Sequence, residues 1–159
     1  MLTVLTRHTL QCMIGSLLCL ILGGLSSLSM TPANLKWYHT LTTPPLTPPD
    51  ALFAPIWTIL YILLGIAMGH CYHLRRNKPL QYTRLNLQFL MNILWSPIFF
   101  GLHAIHLALM ILLGLWGLTG QVLWRGYQDR VLKYTLTPYW IWVSIALYLN
   151  MGCVLLNSA

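Results

Sequence analysis

The sequence predicts an all-α integral membrane protein, a bundle of five transmembrane helices in a single domain over residues 1–159. Three observations carry this. Hydrophobic residues make up 57% of the chain and charged residues 7%, against roughly 25% charged in a soluble domain. Nine Lys/Arg and two acids cannot furnish a water-facing surface for 159 residues, so the solvent for most of it is lipid. The charges stand between long apolar runs, as juxtamembrane charges do. And the runs have the right length, since a spanning helix needs about 20 apolar residues to cross roughly 30 Å of hydrocarbon.

The charge-free gaps place each span. Between Arg7 and Lys36 lie 28 uncharged residues, which predicts helix 1 at 9–30, stopped by Thr31-Pro32. Asp50 to Arg75 leaves 24, for helix 2 at 51–73. Arg84 to Arg125 leaves 40, about 60 Å of helix and two membrane thicknesses. A turn at Gly101-Leu102-His103 divides them into helix 3 at 84–101 and helix 4 at 104–124. Lys133 to the C-terminus leaves 26, for helix 5 at 134–157. A cleaved signal peptide is the rival reading of helix 1, because Arg7, the apolar stretch 10–25 and the small residues at 26–29 resemble one.

On this map Arg7, Arg75, Arg76, Lys78, Arg84, Arg125, Arg130 and Lys133 fall on one side and only Lys36 on the other. The positive-inside rule then puts the N-terminus in the cytoplasm and the C-terminus on the opposite side. A bacterial inner membrane is the expected location. Segment 31–50 holds Pro32, Pro44, Pro45, Pro48 and Pro49 and is expected to be a semi-rigid loop that resists helix, placed as a lid. Trp37 and Tyr38 within it also suit interfacial anchoring.

Several chemistries are excluded. The basic residues form no aromatic-interleaved patch, which argues against nucleic acid. Asp50 and Asp129 both map to loops, and no ionisable carboxylate or amine lies inside a span, which argues against an ion-driven pump. Paired-carboxylate and Ser-His-Asp catalysis lack the residues. His70-Cys71-x-His73 and His103-x-x-His106 give two ligands per site, too few for a closed zinc site, so no metal site is expected. Cys12, Cys19, Cys71 and Cys153 read as packing residues.

Aromatics and amides at helical spacing remain. Trp57, Tyr61 and Gly65 form one stripe; Gln88, Asn92, Trp95 and Phe99 a second; Tyr139, Trp142, Ala146 and Asn150 a third. An amide in hydrocarbon costs free energy unless paired, so these amides should face the bundle. They either glue helices together or, with the aromatics, wall a cavity for a large, flat, mostly apolar ligand.

Three stretches then resemble a known family. They are LKWYHTLTTPPLTPPDALFAPIWTILY (Leu35–Tyr61), QFLMNILWSPIFFG (Gln88–Gly101) and PYWIWVSIALYLN (Pro138–Asn150). In order and spacing they are similar to the translocator protein family, also called tryptophan-rich sensory proteins or TspO/MBR. The resemblance implies a five-helix bundle, commonly a homodimer, that binds porphyrins such as protoporphyrin IX and haem as ligands, with no required cofactor. By position it implies a pocket of Tyr38, Trp57, Asn92, Trp95, Trp142, Ala146 and Asn150, where the small Ala146 leaves room for a planar ring beside Trp142. Lys36 is placed to meet a porphyrin propionate. The chain departs from the family pattern at Thr43-Pro44-Pro45-Leu46 and at Ala51, where two tryptophans and a lysine are replaced. Asn150 is followed by MGCVLLNSA, so cholesterol binding through the animal motif is not expected. The implied function is a membrane receptor, sensor or transporter-like protein for tetrapyrroles. The alternatives are an enzyme of light-dependent porphyrin degradation and a non-catalytic membrane interaction protein.

Overall fold

The computed structural model describes residues 2–157, with side chains from Thr6 onward. Its helices are α1 (Leu2–Ser27), α2 (Pro32–Tyr38), α3 (Phe53–His73), α4 (Pro79–Ser96), α5 (Ile105–Arg125) and α6 (Arg130–Asn157). The five long ones form the bundle; α2 is a short helix in the loop between α1 and α3.

Helix ends differ from the charge-gap reading for local reasons. Helix α1 runs earlier, from Leu2 to Ser27, and its end is drawn off by hydroxyls: Ser27 donates to the Gly24 carbonyl at 2.7 Å and Ser29 to that of Ser26 at 2.8 Å. Helix α4 begins at Pro79 rather than at residue 84. Proline suits the first helical position, where its missing N–H would have no partner anyway. Arg84 therefore sits inside α4, a turn beyond its start, rather than at its boundary. Helix α6 begins at Arg130 rather than 134, because Asp129 accepts from the N–H groups of Val131 at 3.1 Å and Leu132 at 3.4 Å, which is an N-cap.

Segment 31–50 is not all loop, as expected from its prolines, but contains α2. Thr31 caps it by accepting from the Asn34 N–H at 3.3 Å, and Pro32 takes the first turn. At the far end of α4, Pro97 has no N–H to give, and the chain widens into a π turn over Pro97–Gly101. The turn at 101–103 stands where the sequence places it, with His103 in the left-handed region at φ 54°.

Helix α1 lies against α3 backbone to backbone. A Cβ on Gly15 would meet the Gly65 carbonyl, one on Gly65 would meet Ser16, and one on Gly69 would meet Gln11 and Cys12. Two glycines four apart on α3 admit this approach, as small residues do between membrane helices, and the Ser16 hydroxyl donates to the Ile62 carbonyl at 3.0 Å. The interior is built by α3, α4, α5 and α6, with Leu64, Leu85, Leu112, Leu136, Tyr139 and Val143 fully enclosed. The outer face is the reverse of a soluble protein's: Met13, Leu17, Ile59, Met110 and Leu155 are exposed. Among the described residues four helices, α1, α3 (with the turn at 50–52), α5 and α6, are long and apolar enough to cross a membrane. Helix α4 is more polar because it turns Gln81, Gln88 and Asn92 inward. An unpaired amide costs roughly 2–7 kcal/mol in an apolar medium, so this face cannot meet lipid.

The N-terminal part of α1, the end of α3, the start of α4, the end of α5 and the start of α6 gather at one end of the bundle. There His70 bridges His8 at 2.9 Å and Asp129 at 2.9 Å, and Lys78 reaches Asp129 at 3.6 Å. Burial would raise the Asp129 carboxyl, but the hydrogen bond and charge of His70, the Leu132 N–H and Lys78 outweigh it and hold the group below the usual carboxylate range.

Candidate functional site

The site expected from the sequence lies at the other end, under segment 31–50. None of its seven residues is exposed: Asn92 and Asn150 are buried, and Tyr38, Trp57, Trp95, Trp142 and Ala146 are half-buried. The amides expected to face the bundle, Gln88, Asn92 and Asn150, are all buried. The contacts divide them into three groups.

The deepest group is a polar relay across four helices. The Tyr61 hydroxyl donates to Asn92 Oδ1 at 3.0 Å, and Asn92 Nδ2 donates to the Tyr139 hydroxyl at 2.7 Å. Tyr139 in turn donates to Gln88 Oε1 at 2.9 Å, which also accepts from Thr119 at 3.4 Å. Trp57 tilts against Tyr61 with ring centroids 5.4 Å apart. Tyr61 reaches this place because Gly23 of α1 leaves room for its ring.

The second group joins the loop to the bundle. Trp95 donates its indole N–H to Asn150 Oδ1 at 3.1 Å, and Asn150 Nδ2 donates to the Ile105 carbonyl at 3.0 Å. Trp95 stacks on Phe99 at 5.2 Å, and Phe99 meets Tyr38 edge-on at 6.1 Å. Burial raises the Tyr38 phenol above its ordinary value, with smaller contributions from Cys153 and Asp50. Trp37 lies flat on His103, centroids 3.9 Å apart.

The third group is Trp142 with Phe53, edge to face at 5.8 Å, and Ala146 one helical turn along α6. Here a signal appears that spacing could not carry: Trp142 Nε1 is buried with no hydrogen-bond partner. A buried donor without an acceptor is costly, and it is the group a ligand's polar edge would satisfy. Phe53 was not among the expected residues; its place in α3 one turn before Trp57 is the only sequence sign of it.

Segment 39–50 is tied down over α6. Asn157 exchanges two hydrogen bonds of 2.9 Å with the Thr42 backbone, and Tyr148 donates to the Pro45 carbonyl at 2.8 Å. The buried ring of Pro44 seats on Gly152, where a Cβ would collide with it. Leu46 points outward, 92% exposed, with a left-handed φ of 63°. Lys36 is exposed on α2.

The histidines weighed as ligands are engaged otherwise. His70 serves His8 and Asp129, His73 pairs with Gln11 at 3.1 Å, and His103 pairs with Asn34 at 3.2 Å. Among the described residues, no three His, Cys, Asp or Glu side chains gather as a metal cluster.

A five-helix integral membrane bundle, with half-buried indoles and buried amides beneath a proline-rich cap, defines the class of this molecule. The chain belongs to the TspO/MBR family, whose sequence model matches residues 15–156. It is 34% identical over 154 residues to the tryptophan-rich protein TspO of Chlorobaculum tepidum, covering 94% of this chain and 96% of that one. It is 35% identical over 127 residues to protein CrtK of Rhodobacter capsulatus (76% and 78% covered). With the translocator protein of Sus scrofa it shares 32% over 143 residues (86% and 85% covered).

Proposed function

We propose that this protein binds porphyrins, protoporphyrin IX or haem, between Trp57, Trp142 and Ala146 under the 39–50 cap, and acts as a membrane receptor, sensor or transporter-like protein. One observation carries the reading: the partnerless indole N–H of Trp142, beside Phe53 and one turn from a small residue. Flat aromatic walls suit stacking on a macrocycle, and the N–H suits its polar edge. Lys36 is free to meet a propionate. Family membership agrees, since relatives bear the names tryptophan-rich sensory protein and translocator protein. The basic end faces the cytoplasm, on the positive-inside rule, in a bacterial inner membrane.

Protoporphyrin IX titrated into the protein in nanodiscs should quench tryptophan fluorescence saturably; with seven tryptophans in the chain, the signal survives loss of one. Trp142→Phe, which removes the N–H and keeps a ring, should weaken binding about fivefold, the worth of one hydrogen bond of ~1 kcal/mol. Trp142→Ala should weaken it more. Quenching that never saturates, in detergent or nanodiscs, would overturn the proposal.

A second reading has an observation of its own. Asn92 and Asn150 each use both their oxygen and their nitrogen inside the bundle, as helix-gluing amides do. A non-catalytic interaction protein accounts for that, and an absence of saturable protoporphyrin IX quenching in the parent protein would favour it.

A further inference from the structure

Where the two acids sit decides which cations lack a partner. Asp50 meets His39 at 3.3 Å at the capped end. Asp129 is engaged by His70 and Lys78 at the basic end, where it is the one carboxylate the chain has for eight Lys/Arg. Two hollows open there. One, of about 370 Å³, lies between α1 and the end of α3, with Arg7, Arg75 and Arg76 around it. The other, of about 300 Å³, lies between the start of α4 and the end of α5 and is lined by Lys78, Leu80, Gln81, Arg84 and Arg125.

The second hollow is built rather than merely charged. Gln81 is 9% exposed, and its Oε1 is buried without a partner. Arg84 Nη1, inside α4, is likewise buried without a partner. Helix α4 opens here with no capping side chain, so its positive end adds to the field. The hollow therefore offers guanidinium donors and one buried acceptor. Its depth is marked by Trp124, next to Arg125 and 85% exposed, and by the exposed Tyr127 and Tyr134. Such aromatics settle at headgroup level. Leu80 at the rim is 52% exposed, and Leu87 and Leu90 continue an apolar face along α4.

We propose that this hollow binds the headgroup of an anionic glycerophospholipid of the phosphoglycerol class. The phosphodiester sits against Arg84 and Arg125, a headgroup hydroxyl donates to Gln81 Oε1, and the acyl chains run along α4. Basic pockets between membrane helices bind acidic headgroups in this way. The hydroxyl matters because a phosphocholine headgroup has no N–H or O–H to give Gln81. Lipid is favoured over a soluble phosphate ester by the apolar rim and the aromatic belt.

The test uses the whole protein in maltoside detergent, with thermal unfolding followed by tryptophan fluorescence. Dioctanoyl phosphatidylglycerol should raise the midpoint saturably, and dioctanoyl phosphatidylcholine should not. Arg125→Gln, at an exposed position tolerant of change, should weaken the apparent affinity about fivefold, and Arg84→Gln more. Arg130→Gln, on the same end but outside the hollow, should leave the affinity within twofold of the parent. Equal stabilisation by phosphatidylcholine would overturn the proposal. So would an equal loss in Arg130→Gln, which means diffuse charge and no site. Saturable stabilisation by glycerol 3-phosphate at the same concentrations would move the ligand from lipid to a free phosphate ester and overturn the lipid assignment.

Discussion

Asp129 does three things with one carboxylate. It caps α6, accepts from His70 and pairs with Lys78, while its side chain is only 13% exposed. Asp129→Ala removes a cap worth about 1 kcal/mol and charge-assisted bonds worth roughly 1.5–3 kcal/mol. Asp129→Asn keeps the cap and should cost clearly less. The pH dependence follows from the lowered pKa. A group whose folded pKa lies below its unfolded value stabilises fully above the unfolded value, and that stabilisation goes as pH falls through the folded one. The difference in unfolding midpoint between the parent and Asp129→Asn should hold at neutral pH, begin to shrink below about pH 3.9, and close further down; a difference that grows on acidification contradicts it. The sequence shows Asp129 as a loop acid and nothing more, because its partners are 51 and 59 positions away at Lys78 and His70. Trp142 is the same case at the candidate site: spacing turns its ring inward, but whether the N–H finds an acceptor depends on three other helices.

At the scale of helices, α1 and α3 are held by the absence of side chains. Gly65→Ala puts a Cβ into the backbone of α1 at Ser16; neither backbone can yield, and overpacking of this kind costs about 1–3 kcal/mol. Gly24 has nothing within 4 Å of a built Cβ, so Gly24→Ala should gain about 0.5–1 kcal/mol from helix propensity. Unfolding midpoints of the two variants should move in opposite directions, and equal shifts would refute the close-packed interface. In the sequence Gly65 extends the Trp57–Tyr61 stripe, and so looks like part of a cavity wall. In the fold it is where α1 docks. A stripe says which residues share a face but not which neighbour that face meets. The helix starts at Pro79 and Arg130 were hidden for another reason: a charge gap marks where hydrocarbon ends, whereas a cap marks where the hydrogen-bonded chain begins, and the two differ by a turn when a helix projects into the headgroups.

Across the whole molecule charge is sorted by end. Eight Lys/Arg gather where α1, α4 and α6 begin and α3 and α5 finish, and Lys36 stands alone on α2 beneath the opposite face. The proposed orientation, with this end toward the cytoplasm, requires that Lys36→Cys react with a membrane-impermeant maleimide in intact cells and Arg76→Cys only after lysis. The reverse pattern would invert the orientation. The all-helical class, the gathering of charge at one end and the burial of Gln88, Asn92 and Asn150 were legible from composition and period alone, because hydrocarbon favours long uncharged helices and penalises an unpaired amide. The sequence could not show that Asn92 is paired with Tyr61 and Tyr139, that Pro44 rests on Gly152, or that Arg84 and Trp142 are left with unpaired buried N–H groups. Those depend on which faces of separate helices meet, a contest among packings of similar hydrophobicity that no single helix can decide.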